Sequence, residues 1–223
     1  MYRETEPHLS SQINVLSYED GGINKLFEPL IMSAYEEARY LLPKLPQVIN
    51  IEFGTNYPYG EDGVTGSALS PDSMKIGIRI DQDDRTSQYR KVKQVVMHEA
   101  YHIGQGFYNS KPCSALEAAI YEGCASVFEK EYLSIAAKWT NYAQHTDEEL
   151  FGWLEQIKNI NADQYFESSG ETWRKWAFFD PDTGESWRIY KTGTWLIEKI
   201  IAKNDVNSLE LNDLNAEQIY KMI

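Results

Sequence analysis

Lys93-Gln94-Val95-Val96-Met97-His98-Glu99-Ala100-Tyr101-His102-Ile103 decides how the rest of this chain is read. It carries His-Glu-x-x-His inside a run whose apolar positions Val92, Val95, Val96 and Ile103 have helical spacing. Residues four apart on a helix lie one turn apart on the same face. His98 and His102 can therefore direct two imidazoles at one ion, with Glu99 beside them. In zinc peptidases that arrangement holds Zn²⁺ on the two histidines and uses the glutamate as general base.

A catalytic zinc takes three protein ligands and keeps one position open. A continuation as His-x-x-Gly-x-x-His fails, because Gln105 and Tyr108 stand where the glycine and the third histidine belong. The gluzincin alternative takes a glutamate from the following helix. Glu122, twenty residues after His102, fits that role. It lies in mid-helix among Ala118, Ala119, Gly123, Ala125 and Ser126, whose small side chains allow close packing on the motif helix. Glu117 and Glu129 are fallback ligands, although Glu117 falls near a helix start, where an acid is favoured anyway. His145, in a polar segment, is a more remote candidate.

Outward from the motif, residues 74 to 80 alternate and end at Asp81, reading as a strand directly before the motif helix. In zincin folds an edge strand above the active site pairs with an extended substrate through main-chain hydrogen bonds. That role is expected here of Ile76, Gly77 and Ile78. Residues 54 to 74 read as a long Gly-rich loop, 47 to 53 as a strand and 24 to 42 as a helix ended by Pro43 and Pro46. Residues 1 to 20 read as polar and irregular. Downstream, Pro112 and Ser114 open a helix running to about 138, and further helices are expected near 146–159, 161–168, 188–203 and 215–222. Residues 170 to 187 read as irregular, turning at Asp180-Pro181-Asp182-Thr183-Gly184.

The chain has 223 residues, 42% hydrophobic and 13% aromatic, enough for one sizeable core. Its net charge of −13 argues against nucleic acid as a partner, since it offers no cationic excess to neutralise phosphates. Cys113 and Cys124 are expected to be free buried thiols. A bridge across eleven helical residues, about 16 Å, does not suit disulfide geometry. No run of apolar residues is long enough to cross a membrane, and the N-terminus has no apolar core of a signal peptide. The chain as given is therefore expected to be cytoplasmic, with export of a trimmed precursor left open.

The run His98-Glu99-Ala100-Tyr101-His102, followed by Glu122-Gly123-Cys124-Ala125-Ser126-Val127-Phe128-Glu129, resembles a known bacterial pattern. That pattern is the His-Glu-x-x-His … Glu-Gly-x-Ala-x-x-x-Glu of the YjaZ-like predicted zinc-dependent proteases. The resemblance spans roughly residues 47 to 200 and extends to Tyr190-Lys191-Thr192-Gly193-Thr194-Trp195, similar to that family's aromatic-x-x-Gly-aromatic helix start. It implies a gluzincin-like peptidase with Zn²⁺ as cofactor and peptides or proteins as substrates. One departure is Ser126, at the place where thermolysin-type gluzincins carry an Asp that orients a ligating histidine, so that support must come from elsewhere.

The expected fold is α+β and zincin-like: a small sheet whose edge strand packs on the motif helix, then a mostly helical C-terminal part. Residues 1–223 are expected to form a single domain, with lobes 1–110 and 111–223. Glu99 is the expected base. Tyr190 is preferred as oxyanion donor over Tyr101, His145 and Arg188, because the irregular segment before it can bring it over the cleft and the resemblance sets an aromatic nearby. The alternative is a non-catalytic zinc-binding protein that uses a peptidase scaffold to hold a peptide or partner.

Overall fold

The computed structural model describes residues 12–17, 24–54, 63–79, 85–109, 111–134 and 136–223. Strands β1 (Gln12–Ser17), β2 (Val48–Gly54), β3 (Val64–Ser70) and β4 (Ser73–Ile78) form one mixed sheet in the order β1-β2-β4-β3. β1, β2 and β4 run parallel, and β3 pairs antiparallel with β4. Alternation explains the inner strands: Ile49, Ile51 and Phe53 in β2, and Met74, Ile76 and Ile78 in β4, are fully buried.

The outer strands depart from the sequence reading. β1 lies in a segment read as irregular, because only Ile13 and Val15 alternate there and both are merely half-buried. β3 lies inside the stretch read as a loop. Its buried face consists of Val64 and Ala68 with Gly66 between them, too little apolar bulk to register as a strand. Ile80 and Asp81, and residues 55–62 of the expected loop, lie outside the described residues.

The sheet carries helices α1 (Asn24–Leu41) and α2 (Arg85–Gln105), which also pack on each other. α2 bears the His-Glu-x-x-His motif and lies mainly against the edge strand β3. α2 is buried without a break from Gln94 to Ile103, as a helix covered on several sides must be. Its other cover is α3 (Ala115–Leu133), which ends earlier than expected, where Ser134 turns left-handed.

The remainder is helical: α4 (Asp147–Ile157), α5 (Ala162–Tyr165), α6 (Glu171–Ala177), α7 (Arg188–Asn204), α8 (Ser208–Asn212) and α9 (Ala216–Tyr220), with a 3-10 turn at Lys138–Thr140. α6 falls in a segment read as irregular and α8 between two expected helices, both shorter than periodicity can reveal. The protein is thus α+β, a small mixed sheet with a mostly helical remainder. Cys113 and Cys124 are free and buried, as expected. Among the described residues no helix is long and apolar enough to cross a membrane.

Candidate metal centre

Two helix ends fix the centre. α2 stops at Gln105, just past Gly104. Gly106, at φ +71, donates its N–H to Ile103 O, and the Phe107 N–H reaches back to His102 O. This double closure needs a left-handed residue, which glycine adopts without penalty. It also brings the Phe107 ring edge-on to His102, with centroids 5.0 Å apart. α3 begins in a capping box: Ser114 accepts from the Glu117 N–H while Glu117 Oε2 accepts from the Ser114 N–H. Glu117 is thereby occupied as a cap, and Glu122 is carried to the face opposite the motif.

His98 Nε2 lies 2.9 Å from His102 Nε2 and 3.1 Å from Glu122 Oε2, and His102 Nε2 lies 3.4 Å from the same oxygen. A tetrahedral ion held at about 2.0–2.1 Å by each donor needs donors roughly 3.3 Å apart. The three side chains therefore form a group that can bind a metal. Glu129, the other fallback ligand, stands behind it. One of its carboxylate oxygens meets His98 Nδ1 and the other accepts from Gln94 Nε2. A carboxylate on Nδ1 keeps the imidazole proton there and leaves the Nε2 lone pair facing the centre. Glu129 is 1% exposed and Glu122 17%, which separates the supporting acid from the one at the open side. This is the support that Ser126 cannot give, and its signal in the sequence was a second glutamate seven residues after Glu122.

The electrostatics suit a cation. Burial alone would push His98 down, but the charges of Glu129 and Glu122 outweigh it and raise it well above the usual range. Burial would raise Glu122, but His102 and His98 bring it down to about 2. Glu99 is raised, chiefly by burial, although both histidines oppose the shift. Three carboxylates, two of them buried, and two imidazoles thus share one site, a donor set suited to a divalent ion.

The expected substrate strand needs correction. Ile76, Gly77 and Ile78 sit in β4, whose main chain is flanked by β2 on one side and β3 on the other, so β4 has no edge to offer. The edge over the motif helix is β3. Gly63 O accepts from the Arg79 N–H, while Ala68 O accepts from the Asn109 N–H outside the sheet. Main-chain groups alternate along a strand, so Val64, Gly66 and Ala68 turn theirs away from β4. Glu99 accepts from the Ala68 N–H. A Cβ on Gly66 would come within 2.5 Å of Glu99 Oε1 and 2.6 Å of its Cγ, so only glycine lets the strand lie on this carboxylate.

Of the four oxyanion candidates, three are engaged elsewhere. The Tyr101 hydroxyl donates to Ser208 O at 2.6 Å, Arg188 pairs with Asp180 at 2.5 Å, and His145 Nε2 lies 3.1 Å from Lys191 Nζ. The fourth, Tyr190, lies close enough to feel the acids of the centre: after burial, the charge of Glu122, then Tyr165, Glu99 and Glu129 raise its hydroxyl well above the usual range. Its position follows from a helix crossing. Gly123, next to Glu122, and Gly193, three residues after Tyr190, bring α3 and α7 into backbone contact. A Cβ on Gly193 would lie 2.8 Å from the Ala119 carbonyl carbon and 3.1 Å from Gly123 N.

A family model described as Predicted Zn-dependent protease (DUF2268) matches residues 54–221. That span takes in the edge strand, the motif helix, α3 with Glu122, and α7. No curated protein and no solved structure matches the chain.

Proposed function

The chain belongs to the family described as Predicted Zn-dependent protease (DUF2268), and from that premise we propose that it is a gluzincin-like zinc metallopeptidase. His98, His102 and Glu122 would hold Zn²⁺. The observation that carries this is the convergence of their donor atoms within 4.8 Å, with Glu99 buried beside them under the edge strand. An antiparallel edge strand lying on the motif helix supports a zincin-like arrangement. One continuous core, from Phe27 to Ile219, supports a single domain.

Held there, Zn²⁺ would supply Lewis-acid chemistry, able to polarise a carbonyl and to acidify a water towards a pKa of about 7. Glu99, raised by burial, takes a proton from the water as its oxygen adds to the scissile carbonyl carbon. It passes that proton to the nitrogen as the C–N bond breaks. Tyr190, kept protonated by burial and the surrounding acids, donates to the carbonyl oxygen as negative charge develops there. The Gly66 N–H and C=O offer an extended peptide one register of main-chain pairing beside Glu99.

The test is elemental analysis with a protease assay on an unfolded protein. Wild type should bind one zinc per chain and cleave. Glu99→Gln should keep the zinc and lose cleavage, and Glu122→Ala should lose both. Metal-replete protein without zinc ends the proposal. Zinc binding with no cleavage, and with a bound partner unaffected by Glu99→Gln, would favour a non-catalytic scaffold instead.

A further inference from the structure

The segment that leaves the motif helix returns to the edge strand. Gly106 turns the chain left-handed, the Phe107 N–H donates to His102 O at 3.0 Å, and the Phe107 ring stacks on Tyr121 of α3 with centroids 4.7 Å apart. Two residues on, the Asn109 N–H donates to Ala68 O at 3.0 Å, and Asn109 Nδ2 donates to Ser67 Oγ. A main chain bonded to the outer carbonyl of a strand fills the lane, about 4.7–4.9 Å away, that a further strand would use. Residues 107–109 therefore form a wall from His102 to the strand edge, tied down at both ends.

Both outward groups of Ala68 are taken, its N–H by Glu99 and its carbonyl by Asn109. The outward groups of Val64 and Gly66 have no hydrogen-bond partner among the described residues. The edge is thus open at 64 and 66 and shut at 68. A peptide that exchanges both main-chain bonds with Gly66 in the antiparallel sense, the more stable pairing, runs N to C from Ala68 towards Val64. The residue paired with Gly66 then has one predecessor, opposite Ser67. Anything earlier would fall opposite Ala68, where Asn109 already lies. The Glu99 carboxylate covers the same interval, since its Oε1 is 2.5 Å from where a Gly66 Cβ would stand and it accepts from the Ala68 N–H. The peptide bond beside it is the one joining that predecessor to the residue on Gly66. We propose that the protein is an aminopeptidase: the wall admits one residue before the scissile bond, so the substrate is a peptide with a free N-terminus. The proposal rests on the peptidase reading and adds the class of substrate. Each turnover adds water across the first peptide bond, releases one amino acid and leaves a new α-amine on the shortened peptide. An N-terminal acetyl group puts a further planar unit where Asn109 stands, and forces a capped peptide out of register.

Zinc-loaded wild type is given one unstructured peptide in three forms: free N-terminus with amidated C-terminus, both ends blocked, and acetylated N-terminus with free C-terminus. Mass spectrometry follows the products. The expected result is loss of single residues in order from the free N-terminus. Both acetylated forms should be consumed about a hundredfold more slowly, the cost of a scissile bond held about 1 Å out of place. Internal cuts in the doubly blocked peptide at a comparable rate, or stepwise loss from the free C-terminus, overturn the proposal. Asn109→Pro removes the N–H that ties the wall to Ala68 and sets a ring against that oxygen, so it should narrow the gap between free and acetylated peptides severalfold. If that variant keeps its zinc and the full gap, the wall does not select the N-terminus and the proposal falls. Should it fail to fold, Ser67→Ala with Asn109→Ala loosens the same wall through the side-chain tie alone, with the same two outcomes. Failure of the peptidase reading looks different: none of the three forms is cut, whereas internal cleavage ends only the selection of the N-terminus.

Discussion

Gly193→Ala separates holding the metal from positioning Tyr190. In a helix interior this change normally stabilises, by about 1 kcal/mol. Here the new methyl would meet backbone: 2.8 Å from the Ala119 carbonyl carbon, closer still to its oxygen, and 3.1 Å from Gly123 N. Ordinary carbon contacts begin at about 3.5 Å, and a backbone cannot swing aside as a side-chain tip can. α3 and α7 must therefore part by well over half an ångström. Overpacking of this kind costs about 1–3 kcal/mol, enough to reverse the propensity gain. At roughly 2–4 °C per kcal/mol for a chain of this size, Tm should fall by several degrees. Two of the three proposed ligands sit on α2 and the third on α3, so zinc content should stay near one per chain. Tyr190 rides on α7, and a displacement approaching 1 Å costs up to about a hundredfold in turnover. Tyr190→Phe is the matched control, with a similar loss of kcat and little change in Tm. Calorimetry, zinc analysis and peptide cleavage on the same preparations decide it. If Gly193→Ala keeps wild-type Tm and turnover, the close crossing is wrong. If turnover falls only in proportion to zinc, Tyr190 has no part in the rate.

Glu129→Gln removes the charge behind His98 while keeping the shape, and zinc affinity should fall about 10- to 100-fold in competition with a chromophoric chelator. Gly66→Ala pushes a methyl against the buried Val95 side chain and against Glu99, so Tm should fall while zinc is kept and turnover drops; unchanged turnover would remove β3 from the reaction. Asp180→Asn breaks a buried pair with Arg188, whose guanidinium also stacks 3.8 Å above Trp176, and should cost about 3 kcal/mol at pH 7 by denaturant titration. Burial alone would raise Asp180, but the Asp182 N–H and Arg188 hold it below the usual carboxylate range. Its stabilisation is therefore full above about pH 4 and lost as pH falls through the lowered value, so the gap between variant and wild type should close in acid.

The helices that carry the centre were legible because burial imposes a period on them. Val92, Val95, Val96 and Ile103 mark α2, and Ser114 with Glu117 marks the start of α3. β2 and β4 were legible for the same reason. β1 and β3 were not, since an edge strand has one neighbour and buries little. In β3 the inward face is Val64, Gly66 and Ala68, where small residues are needed to let the motif helix approach. The requirement that fits β3 to the site thus erases its hydrophobic signal, and sequence pattern alone points to the more apolar β4 for the edge role.

The same logic divides the residues of the centre. His98, Glu99 and His102 are read from local spacing, which a helix converts directly into geometry. Glu122 needed one further premise, that the next helix packs on the motif, and its small neighbours supplied it. Glu129 lies two turns further along the face of Glu122, so its arrival behind His98 follows from that same packing. Ser126, between them, is a buried hydroxyl with no hydrogen-bond partner among the described residues, and so offers His98 nothing. With Glu129 buried against Nδ1, removing Glu129 leaves Nδ1 without its partner, and removing His98 leaves one buried carboxylate oxygen of Glu129 without its own. The two should therefore be coupled. His98→Ala and Glu129→Gln, combined, should lose less zinc affinity than the sum of the single losses.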